Sequence, residues 1–329
     1  MYEGRRVCVV VPAYNEEKLI GSTVRGIPEF VDSIVVVDDC SSDCTAELVR
    51  AISAGSPRVH LIARQRNGGV GAAISDGYVW ARDNGMDIAV VMAGDGQMDP
   101  ADLPSLLDPV VQDRTDYAKG NRLISGEAWR KVPRLRYLGN SALTFLTKIA
   151  SGYWHVTDSQ TGYTAVNRRI LDAVPLEEIY PRYGMPNDFL VTLNIYNMRV
   201  MDVPVRPVYG IGETSGIRLG RMLFSMPVLL GRLFLRRMVR KYIIRDFHPL
   251  VLFYLFGLLL LAVDAGFLVR FFVIWARQGS VPPITALAVI FCTFMGFQSL
   301  LFAMLFDMEA NRDLKGIHGP GAGSSTRGR

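Results

Sequence analysis

The sequence predicts an α/β domain with a doubly wound, mostly parallel sheet, followed by an amphipathic interfacial helical segment and a two-helix transmembrane hairpin. Three observations carry this prediction. Short Val and Ile runs alternate with amphipathic segments over residues 7–116, cations without acids crowd residues 218–245, and two apolar stretches follow. With 50% hydrophobic and 20% charged residues, the chain is too apolar for a disordered protein. Its mean hydropathy of +0.20 is high for a soluble enzyme.

The strands are predicted from β-branched runs, of which residues 34–37 and 88–92 are the clearest. Continuous Val and Ile runs are typical of parallel strands because helices cover both faces of such a sheet. Polar clusters follow four successive runs: YNE (14–16), DD (38–39), RQRN (64–67) and GDGQ (94–97). Each alone would be an ordinary loop. Because ligands of these sheets bind beyond the carboxyl ends of the strands, four together predict a site.

The segment from residue 120 to 215 is predicted to complete the side of the domain where a second, acceptor substrate would bind. Its pattern indicates a helix over 134–150, a strand over 163–167, a helix over 188–197 and a strand over 200–205. A glycine-rich stretch at residues 67–77 matches a dinucleotide fingerprint only weakly, because that motif belongs after the first strand. These glycines are better explained by a close approach of a nucleotide or a helix N-terminus.

The basic segment before the apolar region indicates an anionic lipid surface rather than nucleic acid. The net charge is +5, and eight of the 36 Lys and Arg residues lie within residues 218–245, which hold no acid. Two adjacent basic stripes at helical spacing are predicted there, namely Arg232/Arg236/Arg240 and Arg237/Lys241/Arg245. The pattern predicts an interfacial helix, with a solvated basic face as the alternative.

Two membrane spans are predicted at about residues 250–275 and 284–306, each long enough for a hydrocarbon core of roughly 30 Å. The positive-inside rule places the large domain and the C-terminus in the cytoplasm. Asp264 inside a span is costly, which predicts a subunit contact or a functional role. Small residues in the spans, Gly257, Gly266 and Gly296, permit packing in a homo-oligomer.

The predicted organisation has four parts. Residues 1–215 form the cytoplasmic catalytic domain, 216–247 the juxtamembrane helices, 248–308 the hairpin, and 309–329 a disordered Gly/Ser-rich tail. The four cysteines include no CxxC pair, so neither a zinc site nor a disulfide framework is expected. No signal peptide is predicted at the N-terminus, since the first apolar run is too short.

Asp95 and Gln97 are the candidate metal ligands, because oxygen donors at a strand end suit Mg²⁺ or Mn²⁺ carrying a diphosphate. Neutralising a leaving diphosphate is a large catalytic contribution. Taken alone, an Asp beside glycines is more often a turn.

Four motifs in order, VVPAYNEE (10–17), VVDDCSSDCT (36–45), RNGGVGAA (66–73) and VMAGDGQMDP (91–100), resemble the family 2 glycosyltransferases of the GT-A fold. GNRL (120–123), DSQTGYTA (158–165) and the two spans resemble its dolichyl-phosphate mannose synthase and polyprenyl-phosphate sugar transferase branch. The resemblance implies that the nucleotide sugar, UDP- or GDP-linked, is bound by Pro12, Tyr14, Glu16, Asp39, Asn67, Gly94 and Asp95, and the metal by Asp95 and Gln97. The chain departs from the family at Ala93, where the first Asp of the usual Asp-x-Asp is expected.

A phosphate acceptor needs cations and positioning rather than a strong base, because its second pKa near 6 leaves it largely dianionic at pH 7. The candidate acceptor-binding residues are Arg122, Arg136, Asn140, Ser141 and Arg218. We therefore expect metal-dependent inverting sugar transfer to a polyprenyl phosphate (undecaprenyl or dolichyl) at the cytoplasmic membrane face. Transfer to diacylglycerol or ceramide is the alternative, with Asp188 as its base. A second alternative, motivated by Ala93, is an inactive nucleotide-sugar-binding scaffold.

Overall fold

The computed structural model describes residues 1–123, 134–206 and 219–317, with the backbone alone at 134–140 and 219–224. The chain divides into two compact units, which are described separately. The first contains Met1–Phe234 and Asp313–Arg329, and the second contains Leu235–Arg312.

The first unit is built on a seven-stranded sheet with the order β3-β2-β1-β4-β6-β5-β7. Its strands are β1 (Val7–Ala13), β2 (Ser33–Asp38), β3 (Val59–Ala63), β4 (Ile88–Val91), β5 (Tyr117–Asn121), β6 (Thr164–Asn167) and β7 (Val200–Pro204). All neighbours pair in parallel except β6, which is antiparallel to both β4 and β5. The prediction of a doubly wound, mostly parallel sheet is confirmed.

The reversed strand β6 brings the chain back to the edge where the parallel strands end. Thr164 begins β6 and pairs with Val91 at the end of β4 and with Lys119 in β5. The segment that precedes β6, including Asp158, therefore lies at the same edge as the segments that follow β4 and β5.

Helices cover both faces of the sheet, and two apolar cores result. The helices of this unit are α1 (Ile20–Gly26), α2 (Thr45–Gly55), α3 (Val70–Asp83), α4 (Leu103–Val111), α5 (Arg134–Ser151), α6 (Arg168–Ala173), α7 (Met185–Ile195) and α8 (Leu219–Val239), the last of which continues into the second unit. The inward Val and Ile side chains of β1 and β2 are fully buried, which accounts for their continuous apolar runs.

The glycine-rich stretch serves close packing. A Cβ on Gly77 would overlap the Val10 side chain of β1, and one on Gly71 would overlap the carbonyl of Tyr180. Glycine thus lets α3 lie directly on β1 and lets the segment before α7 lie directly on α3.

The start of the predicted tail is folded. Lys315 bridges to Val200 of β7, and the Gly316 and Ile317 amides donate to the carbonyls of Val200 and Arg114. The physical reason is that these backbone groups extend the pairing of an edge strand. Residues 318–329 lie outside the described part of the chain.

The second unit holds two helices that are long and apolar enough to cross a membrane, α9 (Leu250–Gln278) and α10 (Pro283–Ala310). Only 22% of each apolar window is buried, so most of its side chains face outward. Gly257 and Gly296 pack against each other's carbonyls, so these two glycines serve contact within the hairpin. Asp264 is also buried there, and its Oδ2 accepts a 2.7 Å hydrogen bond from Thr293. Asp264 thus makes a contact between α9 and α10, and its predicted role in a subunit contact or in function stays a prediction.

One of the two predicted basic stripes turns inward. Arg237 is fully buried and binds Asp307 through both guanidinium nitrogens, at 2.7 and 2.9 Å. Lys241 is also buried and donates to Asn311 Oδ1 at 2.8 Å, while the Tyr242 hydroxyl donates to Asp307. The prediction of an outward Arg237/Lys241/Arg245 stripe is therefore wrong for its first two members. The cause is a carboxylate at the end of α10, about 70 residues later in the chain.

In the neighbouring stripe, Arg232 and Arg240 are exposed and Arg236 is half-buried. The apolar side chains of Leu235, Val239 and Ile243 are also exposed. Residues 235–243 thus combine an inward charged cluster with an outward face of mixed apolar and basic character.

Candidate active site

The candidate site lies at the edge of the sheet where β1, β2, β4 and β5 end and β6 begins. Beyond the end of β4 the chain stays in contact with β1, since the Gly94 amide donates to the Pro12 carbonyl at 3.1 Å. Thr23 of α1 donates its hydroxyl proton to the Gly94 carbonyl at 3.3 Å. The structure therefore brings the PAYNE and GDGQ motifs together, as the sequence predicts.

Asp95 is presented by a tight turn. Its Oδ1 accepts the Gln97 amide at 3.0 Å, and Gly96 adopts a φ of +71°, a conformation that favours glycine. Asp95 and Gln97 are both half-buried. At the position expected to hold a second carboxylate, the Ala93 amide instead donates to the Met98 sulfur.

Glu16 lies beside this turn. Burial, together with the charges of Asp95 and Asp43, raises the pKa of Glu16 to about 7. Its backbone is fixed, because its amide donates to the Thr45 hydroxyl at 2.8 Å and its carbonyl accepts the amide of Ile20 at the start of α1.

Asp39, at the end of β2, is buried and heavily hydrogen-bonded. Its carboxylate accepts from Arg64 at 2.8 Å and from the Gly68 and Gly69 amides at 2.9 and 2.7 Å. The Asn67 side chain donates to the Asp39 carbonyl at 3.2 Å. Asp39 thus orders the loop that leads into α3. Tyr14, which directly follows β1, is half-exposed at the same edge of the sheet.

A buried charge cluster follows β5. Arg122 binds Asp158 through Nε and Nη2, at 2.9 and 3.2 Å. Burial by itself would raise the pKa of Asp158, but the hydrogen bond and charge of Arg122, aided by Lys119, hold it below its usual value. Burial lowers the pKa of Lys119 to about 8, and its Nζ donates to the Thr161 carbonyl at 2.5 Å.

Sequence reasoning identified Arg122 and the motif that contains Asp158 but missed Lys119. A lysine inside a strand that holds no other charged residue, YAKGN, is the signal that could have revealed it. Such a residue must point either to solvent or to buried carboxylates.

Asp188 is in the first turn of α7, where it is 2% exposed and its Oδ2 accepts the Tyr180 amide at 2.9 Å. The contact helps to hold the segment that packs on α3. Ser141 is exposed on α5. The side chains of Arg136 and Asn140, and the whole of Arg218, lie outside the described residues.

Comparison with known proteins identifies the family. The model of glycosyl transferase family 2 matches residues 8–174, which include every strand end described above up to β6. The chain belongs to glycosyl transferase family 2. The protein is accordingly a glycosyltransferase with a GT-A fold.

Two curated relatives and one solved structure illustrate the match. The chain is 28% identical over 240 residues to UDP-N-acetylglucosamine–dolichyl-phosphate N-acetylglucosaminyltransferase of Methanococcus voltae, covering 68% of this chain and 95% of the relative. It is 31% identical over 204 residues to undecaprenyl-phosphate mannosyltransferase of Micrococcus luteus, covering 61% and 82%. Glucosyl-3-phosphoglycerate synthase of Mycobacterium tuberculosis, solved with Mn²⁺, UDP and phosphoglyceric acid, shares the fold with a TM-score of 0.53 at 21% identity, covering 71% of this chain and 78% of that one.

Proposed function

We propose that this glycosyltransferase moves a sugar from a nucleotide-diphosphate sugar to a polyprenyl phosphate, with inversion at the anomeric carbon, at the cytoplasmic face of a membrane. The observation that carries the proposal is the pairing of a family 2 domain with two helices long enough to span a bilayer. The names of the two curated relatives state dolichyl phosphate and undecaprenyl phosphate as acceptors, which supports the same acceptor class here.

The reaction requires positioning of two anionic reactants. A phosphate oxygen of the acceptor attacks the anomeric carbon, a new carbon–oxygen bond forms, and the bond to the nucleoside diphosphate breaks. Because the phosphate is already ionised near pH 7, no protein group has to remove a proton. We assign the acceptor phosphate to Arg122, and Asp158 fixes the direction of its guanidinium.

The donor side is supplied by the ends of β1, β2 and β4. Asp39 orders the Gly68–Gly69 turn, and the exposed ring of Tyr14 provides a surface for the nucleoside. The donor oxygens of Asp95 and Gln97 fit Mg²⁺ or Mn²⁺, which prefer such hard ligands. When bound there, a divalent cation supplies charge neutralisation for the departing diphosphate.

The lipid acceptor implies a membrane location for the second unit. In the proposed topology α9 and α10 cross the bilayer as a hairpin, and the first unit and C-terminus are cytoplasmic. Exposed Arg240 and the apolar side chains of Val239 and Ile243 would lie at the interface with anionic lipid. A reporter fused after Arg329 should be cytoplasmic, and a label at residues 279–282 should be accessible from outside. An external C-terminus would contradict the hairpin.

The reaction is tested with the purified full chain in detergent. It is incubated with Mn²⁺, undecaprenyl or dolichyl phosphate, and each of a panel of UDP- and GDP-sugars, and the lipid product is weighed by mass spectrometry. We expect a lipid phosphate that has gained one sugar. Product formed only when diacylglycerol or ceramide replaces the lipid phosphate would refute the proposed acceptor, and the Asp95→Asn variant serves as the inactive control.

A further inference from the structure

Residues 93–98, which we call the Asp95 turn, carry the candidate cation ligands Asp95 and Gln97. The near side of the turn is held by β1, because the Gly94 amide donates to the Pro12 carbonyl at 3.1 Å. The turn is also closed on itself, since Asp95 Oδ1 accepts the Gln97 amide at 3.0 Å. The position of Asp95 and Gln97 in the site therefore depends on the contacts that hold the far side of the turn.

The segment that precedes β6 holds this far side. Tyr163 is buried, with 2% of its surface exposed, and its hydroxyl donates to the Asp99 carbonyl at 3.0 Å. Gly162 lies against Met98, since a Cβ added to Gly162 would be 3.5 Å from the Met98 methyl carbon. The Met98 sulfur in turn accepts the Ala93 amide at 3.2 Å. Two consecutive residues thus contact the chain where it leaves the Asp95 turn.

The backbone of Tyr163 is bound to the strand that leads to Arg122. The Gly120 amide of β5 donates to the Tyr163 carbonyl at 2.8 Å, and Arg122 directly follows β5. Tyr163 therefore joins the two halves of the candidate site. Its carbonyl is bonded to the strand that carries Arg122, and its hydroxyl is bonded to the segment that carries Asp95.

A different residue holds the segment after the turn. The Arg206 amide and Nε donate to the two carboxylate oxygens of Asp102 at 2.7 and 3.2 Å, and Asp102 ends the short 3₁₀ helix Pro100–Asp102 that leads into α4. The ion pair of Arg206 with Asp99, at 3.6 Å and largely exposed, contributes little. Loss of the Tyr163 hydroxyl alone should therefore loosen the Asp95 turn and leave the start of α4 in place.

We propose that Tyr163 is a positioning residue for sugar transfer: its hydroxyl holds the Asp95 turn at the distance from Arg122 that lets the acceptor phosphate reach the anomeric carbon in line. The inference rests on the proposed function, which assigns the donor diphosphate to the Asp95 turn and the acceptor phosphate to Arg122. A small displacement of one reactant is costly, because the reacting atoms have to approach to about 3–3.5 Å. Tyr163 acts through the turn, since its hydroxyl is bonded to Asp99.

Hydrogen–deuterium exchange of the full chain in detergent measures the hold on the turn without turnover. Tyr163→Phe keeps the ring and removes the hydroxyl. Exchange of the amides at residues 93–99 should become about three- to ten-fold faster, which is the effect of one lost hydrogen bond.

Tyr153→Phe is the matched control. Tyr153 is also buried, and it donates its hydroxyl to a backbone carbonyl, that of Met198, at 2.6 Å. Met198 precedes β7 and so lies at the opposite edge of the sheet from the Asp95 turn. Tyr153→Phe should leave exchange at residues 93–99 unchanged, and thermal unfolding verifies that both variants are folded.

Steady-state kinetics then separate positioning from substrate binding. Lipid phosphate and nucleotide sugar are varied separately in detergent. Tyr163→Phe should lower kcat about ten-fold and change KM for either substrate less than three-fold, because the groups that contact each substrate are kept and only their separation is disturbed. Tyr153→Phe should keep kcat within two-fold of the unsubstituted chain, although it loses a hydrogen bond of the same kind.

Three results would overturn the inference. The first is unchanged exchange at residues 93–99 in Tyr163→Phe, and the second is an equal loss of kcat in Tyr163→Phe and Tyr153→Phe. The third is a raised KM for the nucleotide sugar with unchanged kcat, which would make Tyr163 a donor-binding residue. Absence of turnover by the unsubstituted chain on any lipid phosphate would instead refute the proposed function, and exchange would still decide whether Tyr163 holds the turn.

Discussion

Removing the Asp307 carboxylate should destabilise the second unit strongly, because it leaves the Arg237 guanidinium buried without its charge partner. Both side chains are 0% exposed, and two hydrogen bonds of 2.7 and 2.9 Å join them. Breaking a buried ion pair from one side costs about 3–5 kcal/mol. Loss of the Tyr242 hydroxyl bond to the same carboxylate adds about 1 kcal/mol.

The destabilisation can be measured through Cys292, which is buried in α10. Its alkylation by N-ethylmaleimide in detergent reports opening of the hairpin, and peptide mass spectrometry separates it from Cys8, which is buried in β1. A cost of 3 kcal/mol corresponds to about 100-fold in the open population. Asp307→Ala should therefore speed labelling of Cys292 by about 100-fold or more and leave Cys8 unchanged.

Two further variants make the test specific. Glu309→Ala removes an exposed partner of Arg312 and should have almost no effect, since exposed pairs contribute about 0–1 kcal/mol. The double variant Arg237→Met/Asp307→Leu removes both charges of the buried pair and should recover most of the loss. The reasoning about this cluster is wrong if Cys292 is alkylated as slowly in Asp307→Ala as in the unsubstituted chain. It is also wrong if Cys292 is alkylated as fast in the double variant as in Asp307→Ala.

The remaining predictions concern the first unit. Asp95→Asn should abolish turnover and weaken Mn²⁺-dependent nucleotide binding; near-normal rates would contradict the site. Arg122→Ala removes a charge-assisted contact of about 1.5–3 kcal/mol, so it should raise KM for lipid phosphate or lower kcat by about ten-fold or more. Asp188→Asn should keep appreciable turnover, because a phosphate needs no base; a folded, donor-binding but inactive variant would favour a hydroxyl acceptor. Since the folded pKa of Lys119 is about 8, below its unfolded value, the free energy of unfolding should rise with pH between 8 and about 10.5, and Lys119→Met should flatten that rise in denaturant titrations.

The sequence predicted the local elements closely. The helix expected at 134–150 is observed at Arg134–Ser151, and the strand expected at 163–167 at Thr164–Asn167. The helix expected at 188–197 begins earlier, at Met185, since Pro186 occupies its first turn, where a missing amide proton costs nothing. Hydrophobic periodicity and a proline at the start of a helix are local signals, and they determine where helices and strands begin and end.

Features that depend on distant partners could not be predicted from local pattern. Arg237 and Lys241 have the spacing of a surface stripe, but they turn inward toward Asp307 in α10 and Asn311 just after it. The sheet position of β6 is likewise set by pairing rather than by its own residues. At the site, the strand-end clusters converge as predicted, whereas the individual roles of their residues stay predictions until the variants are measured.

The antiparallel strand β6 has a consequence for how such an enzyme can diversify. The chain leaves the sheet after Asn121 and returns at Thr164 beside the strand end that carries Asp95. Everything between is a single excursion that begins and ends at neighbouring strands, and it contains Arg122 and Asp158. If this segment were exchanged between two relatives, the preference for the acceptor would be exchanged with it. The strand ends that bind the nucleotide would stay unchanged. The preference for the donor and the preference for the acceptor could then evolve independently.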